Sequence, residues 1–219
     1  MDSSLTGAIH VGNVLKSCFG RLAFLYRNSS LLDFHSRKTL CASLIQPYLD
    51  YWSSSWYESL SMSLKSKLDV FQRKMLRFVK GVDSRCHVGN RDLYEVLWLS
   101  IRDRISYFKL IHLFKIKHDL CPLYLRSNIV SVSDTHSYRT RSSVSNFHVS
   151  KTLSNAPSTF AYSCVKLRNA LPEHIKSIDS LPSFKRGLKR FMLSSYGWSM
   201  IFWTGLEFMA SDIWHHIRF

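Results

Sequence analysis

The sequence contains few acidic residues, and no two of them are adjacent. Its 219 residues include 15 Asp and Glu against 30 Lys and Arg. Two-metal phosphoryl or nucleotidyl transfer needs carboxylates that converge on the ions, whereas scattered acids beside cations are typical of a solvated helix surface. There is also no glycine-rich phosphate loop and no H-E-x-x-H pattern, and glycine totals only 8. We therefore expect no catalytic residues, no metal site and no cofactor.

The cysteines form neither a disulfide framework nor a zinc pattern. They number five, which is odd, and none lies in a C-x-x-C pair. Such residues are typically buried thiols in a reducing compartment. The N-terminus lacks the charged and apolar regions of a secretory signal, and no uncharged run approaches the roughly 18 residues that a membrane span needs. The sequence predicts an intracellular protein, in the cytoplasm or nucleus, without a membrane span.

What the chain has in excess is positive charge, unevenly distributed. The isoelectric point is about 9.8, and the net charge is +15. Residues 60–118 carry a net +8 and residues 151–193 a net +6, so the remainder sums to about +1. A basic protein with localised cations favours a polyanionic partner, although a basic but inert surface is the alternative.

Hydrophobic periodicity predicts a mainly α fold. The chain is 46% hydrophobic and 14% aromatic, which is enough for a buried core. The clearest helix is "SLKSKLDVFQRKMLRFVKG", with an apolar stripe at helical spacing, Ser61 or Ser63 as its cap and Gly81 at its end. Residues 126–158 are rich in Ser, Thr and Asn, and we read them as an irregular or short β-hairpin segment. The predicted fold is a helical bundle with this one segment of different character.

Two helices place cations opposite an apolar stripe. In "SLPSFKRGLKRFML", Phe184 and Leu188 lie on one side, and no acid interrupts the basic residues on the other. The helix before Gly81 has a similar polar side, and Arg139 and Arg141 alternate with Tyr138 and Thr140, so both would face one way in a strand. The predicted nucleic-acid-binding residues are Arg73, Lys74, Arg77, Lys80, Arg139, Arg141, Lys185, Arg186, Lys189 and Arg190.

Five phrases, in order, resemble the region that follows the catalytic palm in reverse transcriptases of non-LTR retrotransposons, especially jockey-like elements. The phrases read "SLIQPYLDYWSSSWY", "LKSKLDVFQRKMLRFVKG", "LYEVLWLSIRDRISYFKLIHLFKIKHDLCPLYL", "HSYRTRSS" and "LRNALPEHIKSIDSLPSFKRGLKRFML". Their order and spacing match the family over roughly residues 5–193. The chain departs from the family pattern at Arg168, where Trp is usual, and at Ser100, where Pro is usual. The residues from Gly197 onward match no part of it.

The resemblance implies the thumb and C-terminal part of an RNA-directed DNA polymerase, severed from its palm. The family's palm acids hold magnesium, and they have no counterpart here. A thumb holds the template–primer duplex by its backbone, so the implied partner is RNA, DNA or an RNA–DNA duplex, bound without base readout. The implied organisation is a thumb-like helical region at 1–125, the hairpin segment at 126–158, basic helices at 159–195 and an apolar tail at 196–219.

Two further hypotheses stay open at this point. The chain could be a helical protein-interaction module, with apolar surfaces that pack on the missing palm domain or on another helical protein. The apolar, Trp-rich tail together with the basic faces could also bind a membrane surface without spanning it.

Overall fold

The computed structural model of the chain describes residues 7–132, 146–148 and 160–197. This part of the chain is mainly helical, which confirms the predicted fold class. No helix within it is long and apolar enough to cross a membrane. The predicted tail beyond Gly197 lies outside the described residues.

Ten helices occur in the described part of the chain. They are α1 (Ala8–Arg27), α2 (Phe34–Leu44), α3 (Gln46–Asp50), α4 (Ser53–Trp56), α5 (Met62–Lys80), α6 (Asn90–Glu95), α7 (Ile101–Lys117), α8 (Phe160–Asn169), α9 (Glu173–Lys176) and α10 (Leu181–Gly197). Two 3-10 turns, Ser29–Leu31 and Leu123–Asn128, lie between them.

The chain divides into two compact units, Met1–Ile105 and Ser106–Phe219. The division falls inside α7, and the boundaries predicted at residues 125, 158 and 195 stay predictions. A helix rich in apolar residues on several faces offers no Gly, Pro or polar run to mark such a point. The two units are described separately below.

The core of the first unit forms between α1 and α5, and α2 also packs on α5. On α1, the buried residues Val14, Cys18, Leu22 and Leu25 follow one another at helical spacing. The facing residues of α5 include Leu68, Phe71, Met75 and Phe78. An aromatic pair also joins the two helices: the Phe19 and Phe71 rings pack edge to face, with centroids 4.9 Å apart and an interplanar angle of 83°.

Local sequence signals set the helix ends. The Asp33 carboxylate accepts a hydrogen bond of 2.9 Å from the Ser36 amide and caps α2. The Ser61 hydroxyl accepts from the Leu64 amide at 3.4 Å and caps α5. Gly81 ends α5 in the left-handed region, at φ 66°. The cap at Ser61 and the end at Gly81 confirm the limits predicted for this helix.

Replacing Gly81 by alanine is expected to lower the free energy of unfolding by about 2 kcal/mol. A side chain at this φ is strained, and the new Cβ would collide with Nη1 of Arg37. Moving that guanidinium would disturb the 2.9 Å hydrogen bond from Nη2 of Arg37 to the Ser29 carbonyl. Urea unfolding followed by far-UV circular dichroism measures the change.

Gly12 is the matched control for that substitution. It lies inside α1, and a Cβ added there meets nothing within 4 Å. Gly12→Ala is therefore expected to raise stability by about 0.5–1 kcal/mol. Equal effects at the two glycines would contradict the account of the α5 terminus.

The second unit is built around the C-terminal part of α7. Leu113 packs with Cys164 and Val165 of α8. Phe114 stacks on Phe184 of α10, with ring centroids 4.5 Å apart. The α10 residues Phe184, Leu188 and Met192 are buried, so the predicted apolar stripe of this helix faces the core of its unit.

Of the predicted hairpin segment at 126–158, residues 126–132 and 146–148 can be compared with the structure. Among the described residues there is no strand, but an isolated antiparallel bridge joins Ser131 to Phe147. The Val132 amide donates to the Asn146 carbonyl at 3.1 Å, and the His148 amide donates to the Val130 carbonyl at 2.8 Å. The rest of the predicted segment lies outside the described residues.

Candidate nucleic-acid interface

The clearest cationic surface in the described chain lies on α10. Lys185, Arg186, Lys189 and Arg190 are all exposed, and together they are called the α10 basic face. Phe184, at 4% exposure, and Leu188, at 0%, lie on the opposite side of the helix. No acidic residue occurs within α10. The helix therefore separates its charge from its apolar surface as the sequence predicts.

The helical period places these four cations on one side of α10. The Ser180 hydroxyl accepts a hydrogen bond of 3.3 Å from the Ser183 amide, as an N-cap does. With the helix beginning there, the pairs 185–186 and 189–190 are one turn apart and share a side. Four positive charges thus lie within two turns, which is the spacing at which neighbouring phosphates of one strand can be contacted together.

The corresponding cations of α5 differ in their surroundings. Arg73 and Lys74 are exposed, whereas Arg77 and Lys80 are half-buried. The Lys80 ammonium donates hydrogen bonds to a carboxylate oxygen of Asp92 and, at 2.8 Å, to Glu95. These hydrogen bonds raise the pKa of Lys80 above its usual value. Two carboxylates therefore balance the Lys80 charge and tie α5 to α6.

Two other α5 cations also make contacts within the fold. Nε of Arg77 donates to the Cys86 carbonyl at 2.7 Å and holds the loop after α5. Nζ of Lys74 lies 5.2 Å from the centroid of the Phe19 ring on α1, as a cation–π contact. Burial raises the pKa of Asp69 above its usual value, and the positive charge of the nearby Arg73 offsets part of that rise. The α5 cations thus stabilise the fold through these contacts and also contribute positive charge to its surface.

Arg139 and Arg141, the remaining predicted contacts, lie outside the described residues. Their part in any interface stays a prediction.

Several acidic residues of the described chain form ion pairs within the fold. Asp50 accepts two hydrogen bonds from the Arg104 guanidinium, at 2.5 and 2.6 Å. Asp119 accepts from Arg126 at 2.6 Å. Within the described residues, no group of three His, Cys, Asp or Glu side chains could hold a metal ion.

Three of the five cysteines are buried, in agreement with the sequence prediction of buried thiols. They are Cys18, Cys41 and Cys164, whereas Cys86 is exposed and Cys121 is half-buried. Burial raises the pKa of the Cys164 thiol to about 12 and that of Cys41 to about 12. These two thiols are therefore protonated and unreactive at neutral pH.

Sequence reasoning missed several buried polar residues. Gln72 is 7% exposed: its amide nitrogen donates to the Leu99 carbonyl at 2.8 Å, and its amide oxygen accepts from the Ile101 amide at 3.0 Å. The signal was present, because Gln72 interrupts the apolar side of α5 between Phe71 and Met75. A polar residue at a buried helical position indicates a specific hydrogen-bond partner.

Arg168 and Asn169 both contact Phe147, which lies within the predicted hairpin segment. The Asn169 side chain accepts from the Phe147 amide at 3.0 Å and donates to the Phe147 carbonyl at 2.8 Å. Arg168 is 8% exposed, and its guanidinium lies 4.6 Å from the Phe147 ring centroid. Burial lowers the pKa of Arg168. Arg168 is thus a packing residue in this chain.

No known relative supports an identification of this chain. No protein-family model matches it, and neither the curated proteins nor the solved structures contain a significant match.

Proposed function

We propose that this chain binds the sugar-phosphate backbone of nucleic acid through the α10 basic face. The observation that carries the proposal is the set of four exposed cations on one side of a helix whose other side is buried. Lys and Arg at such spacing neutralise phosphates and release condensed counterions, and this gives affinity without base recognition. The exposed α5 residues Arg73 and Lys74 are the second group of candidate contacts.

In this proposal the chain is the thumb-like, C-terminal part of a non-LTR reverse transcriptase, and its natural ligand is a template–primer duplex. The support comes from the five motif phrases and from the roles of their polar residues. Gln72, Asp50 and Asn169 each belong to one of those phrases, and each makes paired hydrogen bonds within its own unit. We assign no catalytic step to the chain, because its sequence lacks paired carboxylates.

The test is the salt dependence of binding to a short RNA–DNA hybrid. The α10 variant replaces Lys185, Arg186, Lys189 and Arg190 by Ala. Each phosphate contact contributes about 0.9 to the slope of log K against log [salt], so the variant is expected to reduce the slope by about 3–4. Fluorescence anisotropy between about 50 and 200 mM salt measures it, with circular dichroism to verify the fold.

The control must remove the same charge from other surfaces. Four exposed cations outside α10 and outside the predicted α5 contacts serve this purpose, and all are replaced by Ala: Arg27, Lys67, Arg85 and Arg91. A site on α10 predicts that the control retains most of the wild-type slope. Equal losses in the two variants would mean that net charge alone governs binding, and an unchanged slope in the α10 variant would refute the site.

A further inference from the structure

A groove in the first unit is distinct from the basic faces. It has a volume of about 490 Å³ and is called the α1 groove; its lining residues are Lys16, Ser17, Gly20, Arg21, Phe24 and Leu44. Phe24 is 55% exposed and Leu44 is 40% exposed. The groove therefore presents apolar side chains to solvent, on a surface separate from the side of α1 that packs against α5.

The absence of a side chain at Gly20 keeps the groove open. A Cβ built at Gly20 meets nothing within 4 Å. Glycine in a helix interior is less favourable than alanine by about 1 kcal/mol, and no backbone strain requires it here, because the positive-φ glycines of the described chain are Gly7 and Gly81. The space above Gly20 can accept a large apolar side chain from another molecule.

One end of the groove carries the positive charge of Arg21, whose side chain is fixed by contacts within the fold. The Arg21 guanidinium lies 3.9 Å from the centroid of the Tyr48 ring and donates a hydrogen bond to the Tyr48 hydroxyl. It also donates to the Ser17 carbonyl at 3.4 Å. Arginine remains charged at any physiological pH, so this end of the groove is permanently positive.

The sequence segment that contains the groove residues is also positively charged as a whole. Residues 7–48 contain five Lys and Arg and one acid, Asp33, for a net +4. The Asp33 carboxylate is engaged in capping α2. The groove thus combines an apolar floor with a positive rim, and its complement is an apolar surface bordered by acids.

We propose that the α1 groove binds an acidic amphipathic helix of a partner protein. One large apolar side chain of that helix enters the space above Gly20, between Phe24 and Leu44, and Asp or Glu residues of the helix lie against Lys16 and Arg21. Helix-in-groove recognition reads apolar anchors at spacings of three and four residues. A nucleic-acid backbone fits less well, because phosphates offer nothing apolar to the floor, and Arg21 already covers a face of the Tyr48 ring.

The experiment selects displayed random peptides of about 15 residues, roughly four helical turns, against the full-length chain. Enriched peptides are then measured on three proteins: wild type, Gly20→Phe, and Gly12→Phe. Phenylalanine at position 20 fills the groove, whereas Gly12 lies on the same helix outside it and has equal free space around its Cβ. Both substitutions replace glycine by a better helix former, so both variants are expected to fold.

The proposal predicts enriched peptides with acidic residues and apolar anchors at helical spacing. Their affinity is expected to fall at least tenfold on Gly20→Phe and to stay within twofold on Gly12→Phe. A Lys16→Glu variant should also weaken them at least tenfold. Absence of enrichment, peptides without acids, or equal binding to both glycine variants would overturn it. So would a loss of single-stranded DNA or hybrid binding on Gly20→Phe alone, because that result assigns the groove to nucleic acid.

Discussion

Replacement of Phe184 by alanine is expected to lower the free energy of unfolding by about 3–5 kcal/mol. Phe184 is 4% exposed, and its ring stacks on Phe114 with centroids 4.5 Å apart and planes 23° from parallel. The substitution removes a large buried side chain and also an aromatic pair worth about 0.5–1.5 kcal/mol. Urea unfolding followed by far-UV circular dichroism gives the free energy.

The adjacent residue provides the control for this prediction. Lys185 is exposed on the same turn of α10, so Lys185→Ala is expected to change stability by no more than about 0.5 kcal/mol. The pair of variants tests the orientation of the helix on which the α10 basic face depends. A cost at Lys185 comparable to that at Phe184 would show that the helix is turned differently.

Replacement of Gln72 by methionine is expected to lower the free energy of unfolding by about 2–4 kcal/mol. Methionine has nearly the volume of glutamine but cannot donate to the Leu99 carbonyl or accept from the Ile101 amide. Each of these buried backbone groups then lacks a partner, at about 1–3 kcal/mol apiece. The same urea titration measures the loss.

A second variant separates hydrogen bonding from helix propensity. Lys67 is exposed on the same helix, and Lys67→Met introduces the same side chain without removing a buried hydrogen bond. Its expected effect is within about 0.5 kcal/mol. If the two methionine variants were equally stable, the Gln72 amide would have no structural role.

Features that depend on nearby residues could be predicted from the sequence. The cap at Ser61, the end at Gly81 and the buried stripe of α10 each follow from residues within one or two turns. The separation of charge from apolar surface on α10 was predictable for the same reason, since a helical period sorts the residues without reference to the rest of the chain.

Features that depend on distant partners could not be predicted. Lys80 has the same local pattern as Arg73, but Asp92 and Glu95 of α6 approach it only after the chain turns back. The Asp50–Arg104 pair joins residues 54 positions apart. The α1 groove likewise depends on Leu44 of α2 lying near Gly20. The spacing of residues within α1 cannot predict this contact, because it joins two helices.

The bridge between Ser131 and Phe147 has a consequence for how this chain can vary in length. The Asn169 amide holds Phe147 by both its backbone groups, so Ser131 and Phe147 lie at neighbouring points of the second unit. The entropy of closing a connection rises only with the logarithm of its length, about 0.6 kcal/mol for each doubling. Insertions between Ser131 and Phe147 are therefore expected to reduce stability only slightly.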